Sequence, residues 1–110
     1  MKTYVPATAA RDARAAQSDR PAVALVHDAP GVRLVVFRIA PGQAVAAHTS
    51  PSTVLLHVLS GTGLVSGAEG EREVEAGTVV AYEPNEPHGM RASTRELVVL
   101  AAITPRPASR

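Results

Sequence analysis

The chain has 110 residues, a formal net charge of +1 and no cysteine. Its length fits one domain, since domains most often contain about 100–150 residues. The lack of cysteine excludes disulfides, thiol catalysis and cysteine-bound metals. Basic and acidic residues are interleaved and aromatic residues are few, so a nucleic-acid-binding surface is not expected.

The chain offers no segment that is suited to a membrane. Its longest apolar run, residues 97–103, has seven residues, whereas roughly 20 are needed to cross a bilayer. No apolar stretch follows the first three residues, as it would in a secretory signal. The sequence therefore predicts no membrane association, and the expected compartment is the cytoplasm.

Residues 1–20 differ in composition from the rest. Residues 7–20 are rich in Ala and Arg, both good helix formers, and Thr8 is a candidate N-cap. No clear apolar stripe is present, so a short helix and a loose arm are both compatible with the sequence. We expect this N-terminal segment to precede a domain over residues 21–110.

From Pro21 onward, short β-branched and apolar runs alternate with turn residues. No crossover helix separates successive runs, which excludes a parallel α/β architecture. The pattern predicts an all-β domain with antiparallel strands. The nine predicted strands are 22–27, 32–40, 43–48, 54–60, 64–66, 72–75, 78–82, 88–92 and 96–104.

Two stretches resemble the motifs of the cupin superfamily. In residues 41–63, Gly42, His48 and Gly61 fall on the spacing of the first motif, G-x5-H-x-H-x3,4-E-x6-G. In residues 77–92, Gly77 and His88 fall on the spacing of the second, G-x5-P-x-G-x2-H-x3-N. The resemblance covers residues 32–103. It implies a single-domain, cupin-type antiparallel jelly-roll β-barrel.

Several motif positions depart from the family. The second histidine falls on Ser50 and the glutamate on Val54. The proline, glycine and asparagine of the second motif fall on Glu83, Asn85 and Ala92. The resemblance implies a metal held by three histidines and a glutamate, of which only His48 and His88 remain. If a metal is held, the resemblance implies a divalent transition metal such as Fe, Mn, Ni or Zn, and with only two histidines as ligands we expect it to be bound weakly.

His57 is the candidate third ligand. Side chains alternate along a strand, so His57 points away from the interior if Val54 points into it. Only a β-bulge between the two would turn His57 inward. His27, at a strand end, is expected to be half-exposed and without a role in the site.

The resemblance places the motif positions 48, 50, 54 and 88 in the interior. Strand alternation adds Leu56 and Met90, and Tyr82 ends the preceding strand. The predicted lining residues are His48, Ser50, Val54, Leu56, Tyr82, His88 and Met90. No catalytic residue can be assigned from the sequence.

The sequence is compatible with three functions. The first is a barrel that binds a small molecule around His48 and His88. The second is a metal-dependent cupin enzyme, of the dioxygenase, isomerase or decarboxylase type, that uses the same two histidines as ligands. The third is an assembly or sensory module with a silent pocket. In all three, we expect a homodimer, because apolar edge strands need to be covered.

Overall fold

The computed structural model describes residues 1–108, so residues 109–110 of the predicted domain lie outside it. One short helix precedes nine strands, and each strand begins and ends within two residues of its predicted position. The elements are α1 (Pro6–Asp12), β1 (Ala22–Ala29), β2 (Val32–Ile39), β3 (Ala44–His48), β4 (Thr53–Ser60), β5 (Thr62–Gly67), β6 (Gly70–Glu75), β7 (Val79–Tyr82), β8 (His88–Ala92) and β9 (Leu97–Thr104).

The strands form two antiparallel sheets. The larger sheet has the order β1-β2-β9-β4-β7, and the smaller has the order β3-β8-β5-β6. Strands far apart in the chain, such as β2 and β9, are therefore neighbours, as expected for a jelly roll. The predicted all-β jelly-roll fold is confirmed. Across residues 1–108 it takes the form of two facing sheets, with no strand pairing that joins one sheet to the other.

The core lies between the two sheets. In β4, Val54, Leu56 and Val58 are buried while Leu55 and His57 are exposed. This alternation with a period of two is what allows a strand to present one apolar face to the core. Both sheets contribute to the main buried cluster, whose members are Ile39, Val54, Leu56, Val58, Val65, Val74, Tyr82, Met90, Ala92, Leu97, Val99 and Ala101.

The N-terminal segment forms a short helix, one of the two structures that its sequence left open. Its N-cap is Val5 rather than Thr8, with Pro6 in the first turn, where proline is well tolerated. Ala10 packs on the outer face of the larger sheet. The Arg38 guanidinium donates to the carbonyl oxygen of Ala10 at 3.1 Å and thus holds the end of the helix. Over residues 1–108, no helix is long and apolar enough to cross a membrane.

Gly61, between β4 and β5, makes the closest backbone approach among the glycines. Its φ is +82°, and a Cβ built on it would lie 1.7 Å from the carbonyl oxygen of Glu96. The other two matched motif glycines, Gly42 and Gly77, also have positive φ. The motif glycines therefore meet backbone requirements of the fold and carry no information about the ligand.

The variant Gly61→Ala should lower the free energy of unfolding by about 3 kcal/mol or more. The cost of positive φ in a residue with a Cβ adds to a steric overlap that only backbone movement relieves. Gly31→Ala is the matched control, because a Cβ there meets nothing within 4 Å, and it should change stability by less than about 0.5 kcal/mol. Urea denaturation of both variants measures the difference. Equal effects would contradict this account of the motif.

Candidate functional site

The two motif histidines face each other across adjacent strands. β3 and β8 pair antiparallel, with His48 opposite His88 in the register. The ring centroids are 4.2 Å apart and the ring planes meet at 63°. His88 is buried and His48 is exposed, so the pair extends from the interior to the rim of the fold.

A bulge in β3 brings His48 to the inner face. Val45 pairs with Met90 and His48 pairs with His88, so residues 46–47 of β3 lie opposite the single residue Gly89. In a regular strand, Val45 and His48 would point to opposite faces, because they are three residues apart. The extra residue lets both face inward.

Gly89 leaves the space that this bulge needs. A Cβ on Gly89 would lie 3.0 Å from the backbone nitrogen of Ala47 and 3.0 Å from the carbonyl oxygen of Val45. Backbone atoms cannot swing aside as a side chain can, so a larger residue would push β3 away from β8. Sequence reasoning missed this role. The signal that could have revealed it is a glycine inside a strand, directly after a motif histidine.

Both imidazole rings are held through the same nitrogen atom. Nδ1 of His48 lies 3.0 Å from the carbonyl oxygen of Ala46, and Nδ1 of His88 lies 3.1 Å from that of Glu86. A carbonyl oxygen can only accept, so we assign the proton of each neutral ring to Nδ1, which then donates. In the neutral ring, Nε2 is then an acceptor.

The Nε2 atoms are open to an incoming group. Among residues 1–108, the hydrogen bonds of the His48 and His88 rings are those made through Nδ1. No fully buried side-chain nitrogen or oxygen in that range lacks a partner, so Nε2 of His88 faces accessible space although its ring is buried. Two acceptor atoms on adjacent strands are therefore available to a ligand.

The rings open onto an apolar cavity between the sheets, called here the inner cavity. Its volume is about 310 Å³, near the lower limit of the roughly 300–1,000 Å³ typical of small-molecule pockets. Its polar lining residues are His48, His88, Thr49 and Ser50, and within residues 1–108 no Asp, Glu, Lys or Arg lines it. The apolar side chains of its wall are Phe37, Val45, Pro51, Val54, Leu56, Met90, Ala101, Ile103 and Pro107.

Six of the seven residues predicted to line a pocket line this cavity: His48, Ser50, Val54, Leu56, His88 and Met90. The seventh, Tyr82, lies behind His88, with the two ring centroids 5.2 Å apart. Its hydroxyl donates to the carbonyl oxygen of Ser66 at 2.8 Å. Burial, with a smaller effect of the Glu86 carboxylate, raises the pKa of Tyr82. The hydroxyl therefore stays protonated, and Tyr82 supports His88 without facing the cavity.

The two remaining histidines lie away from the cavity. β4 pairs without interruption from Val54 to His57 on both of its edges, so no bulge turns His57 inward and its side chain is exposed on the outer face. His57 therefore cannot join His48 and His88 at one metal ion. His27 is half-buried, with Nδ1 2.8 Å from the Tyr4 hydroxyl.

The C-terminal segment contributes Pro107 to the cavity wall. Arg106 fixes this segment: its guanidinium donates to Asp28 at 3.1 Å, and its backbone N–H donates to the carbonyl oxygen of Pro30 at 3.1 Å. The hydrogen bond from Arg106, supported by Arg33, lowers the pKa of Asp28. The carboxylate is therefore ionised at neutral pH and holds the segment beside the cavity.

Asn85 connects the loop before β8 to the loop after β3. Its backbone N–H donates to the carbonyl oxygen of Ser50 at 2.7 Å. Its φ is +67°, in the left-handed region that glycine adopts readily and asparagine more readily than most other residues. Asn85 stands where the second family motif has glycine, so this departure from the motif preserves the backbone conformation.

The variant Asn85→Val should lower the free energy of unfolding by about 1–2 kcal/mol, because a β-branched residue is strained in the left-handed region. Asn85→Gly is the matched control and should stay within about 0.5 kcal/mol of the parent, since glycine adopts this φ without strain. Guanidinium denaturation measures both. A larger loss in Asn85→Gly than in Asn85→Val would show that the asparagine side chain matters more than the backbone.

The residues around the histidine pair do not supply a cupin-type metal-ligand set. Val54 has no donor atom, and the Ser50 hydroxyl oxygen accepts from the backbone N–H of Ser52 at 3.2 Å. In the part of the chain that the structure describes, no three His, Cys, Asp or Glu side chains are grouped to hold a metal ion. Catalytic metal sites commonly have three protein ligands, so this site does not fit one.

Comparison with known proteins identifies the family of the fold. The cupin domain family matches residues 35–104, and no curated protein matches the chain. Three solved structures illustrate the similarity. An uncharacterized conserved protein with a double-stranded β-helix domain from Klebsiella pneumoniae has a TM-score of 0.83 and 19% identity, over 100% of this chain and 99% of that one. An RmlC-like cupin protein from Desulfovibrio desulfuricans has a TM-score of 0.75 and 28% identity, over 86% and 91%.

The third structure is the DMSP lyase DddQ from Ruegeria pomeroyi, with a TM-score of 0.75 and 16% identity, over 91% of this chain and 55% of that one. At 16% and 19% identity, the likeness to the lyase and to the Klebsiella protein shows the fold alone. The family match carries more weight, because it spans more than half of the chain and includes both histidines. The chain belongs to the cupin domain family.

Proposed function

We propose that this protein binds a small, largely apolar molecule in the inner cavity, with His48, Ser50 and His88 as polar anchors. The observation that carries the proposal is the chemistry of the wall: aliphatic and aromatic side chains surround a few polar residues, and none of the lining residues in the described part of the chain is charged. Pockets of this composition bind small molecules by burying apolar surface and orient them with a few hydrogen bonds.

The energetics favour an apolar ligand. Each buried CH₂ group contributes about 0.8 kcal/mol, so a molecule that fills the space between Phe37, Leu56 and Ile103 gains most of its affinity from the wall. The histidines then select among ligands of similar size. Metal binding is not required for this function.

A metal-dependent cupin enzyme is the second candidate. One observation favours it: two Nε2 acceptors lie on rings whose centroids are 4.2 Å apart, and unprotonated imidazole nitrogen is a common metal ligand. Against it, Val54 and Ser50 replace the other two ligands that the family resemblance implies. A metal requirement for ligand binding separates the two candidates.

Toluene is a suitable probe of the inner cavity. Titrated into protein in a buffer that contains EDTA, it should shift the methyl NMR signals of Val54, Leu56 and Met90 in a saturable way. Leu56→Phe should fill the cavity and weaken binding roughly tenfold or more, which corresponds to about 1.4 kcal/mol. Leu55→Phe is the matched control, because Leu55 faces outward on the same strand, and it should bind toluene like the parent.

Two other outcomes would contradict the proposal. Binding that requires added nickel or zinc and disappears with EDTA would favour the enzyme. Absence of saturable shifts with either metal-free or metal-loaded protein would favour the silent pocket.

We also propose that two copies associate through β1. β1 is an edge strand of the larger sheet, and Val23 and Leu25 on it are 48% and 60% exposed. Two identical edge strands paired antiparallel are related by a two-fold axis, so each copy covers the same residues on the other. Such pairing would extend the sheet and cover both apolar side chains.

Light scattering at micromolar concentration should give twice the chain mass of 11.4 kDa. The double variant Val23→Lys with Leu25→Lys should be a monomer, because it brings like charges together at the interface. Val79→Lys, on the opposite edge strand β7, is the control and should remain a dimer. A monomeric parent protein would refute the proposal. If Val79→Lys is monomeric while the double variant remains a dimer, the interface lies at β7 instead of β1.

A further inference from the structure

We propose that the ligand of the inner cavity is a neutral, compact, mainly apolar molecule that carries a hydroxyl group, as phenols and small alcohols do. This inference rests on the proposed binding function and adds the chemical class of the ligand. It follows from the direction of each hydrogen bond at the polar part of the cavity.

The histidine pair requires a donor. Nδ1 of both rings is committed to a backbone carbonyl oxygen, Ala46 for His48 and Glu86 for His88. Both Nε2 atoms are therefore acceptors in the neutral rings. The oxygen of a ketone, an ether or a carboxylate placed there has no hydrogen to donate, so its lone pairs would be repelled by the lone pair of Nε2. A hydroxyl can donate its hydrogen to Nε2.

Ser50 offers the complementary donor. Its Oγ accepts from the backbone N–H of Ser52 at 3.2 Å, and in residues 1–108 its own hydroxyl hydrogen makes no hydrogen bond to protein. That hydrogen is available to a ligand oxygen. A ligand hydroxyl carries both a hydrogen that a histidine can accept and a lone pair to which Ser50 can donate, whereas an ether can only accept and a hydrocarbon can do neither.

Within residues 1–108, the lining holds no charged side chain, which disfavours ionic head groups. An alkylammonium could also donate to an Nε2 atom, but none of the lining residues within 1–108 is a carboxylate that could balance its charge. A carboxylate ligand would likewise find neither Lys nor Arg among them. Burial of an unpaired charge is strongly unfavourable, so the head group is neutral.

Four ligands of nearly equal size test this assignment: toluene, p-cresol, 4-methylanisole and p-toluate. They share the methylphenyl body and differ in the head group. p-Cresol should bind roughly three- to tenfold more tightly than toluene and 4-methylanisole, the range expected for one hydrogen bond. p-Toluate should bind more weakly than p-cresol. Calorimetry or NMR titration in the presence of EDTA gives the four dissociation constants.

Variants of the two histidines show which ring accepts the hydrogen bond from p-cresol. His88→Leu and His48→Leu should each retain toluene binding and reduce the preference for p-cresol. His48 is exposed, so its variant should fold even if the loss of the buried His88 destabilises the protein. His57→Leu, on the outer face, is the control and should keep the full preference.

The outcomes separate this inference from the function on which it rests. Equal affinity for p-cresol and 4-methylanisole, with toluene still bound, would overturn the hydroxyl assignment and leave the binding function intact. Tightest binding of p-toluate would also overturn it, in favour of an acidic ligand. If none of the four binds, both proposals fail.

Discussion

The register of β3 against β8 is the constraint on which the candidate site depends. Placing His48 opposite His88 requires one extra residue in β3, and Gly89, which has no side chain, leaves room for the backbone of residues 45 and 47 at that bulge. The same bulge places Ala46 where its carbonyl oxygen accepts from Nδ1 of His48. The bulge therefore sets both the position of the His48 ring and the ring nitrogen that carries its proton.

At two positions where the family motif has metal ligands, this chain has residues that bind metal ions poorly or not at all. Val54 turns a ligand position into apolar wall, and Ser50 turns another into a neutral hydroxyl. Neither change disturbs the strands, since Val54 remains in the regular alternation of β4. Loss of donor atoms and gain of apolar surface both favour an organic ligand over a metal ion. One fold can host different chemistry in its interior, since function depends on the residues of the site rather than on the fold.

The strands and the family could be predicted from the sequence, because alternation, turn residues and motif spacing are local signals. Alternation also placed His57 on the outer face and Val54 and Leu56 on the inner one. The bulge at residues 46–47 could not be predicted in this way, because it depends on pairing between strands 40 residues apart in the chain. Tyr82 was misplaced for a similar reason: its hydroxyl bonds to the carbonyl oxygen of Ser66, a contact that no local pattern encodes. In the sequence, Asn85 departs from the glycine of the second motif. Only its positive φ shows that it adopts a backbone conformation that glycine also adopts readily.

The tautomers of His48 and His88 test the central claim most directly, since the assignment of both Nε2 atoms as acceptors depends on them. Long-range ¹H–¹⁵N correlation spectra of uniformly labelled, metal-free protein distinguish the two neutral tautomers of each ring. The structure predicts that the proton of both rings resides on Nδ1 at a pH where the rings are neutral. A proton on Nε2 of either ring would contradict the account, because that ring would then offer a donor to the cavity where the proposed ligand needs an acceptor.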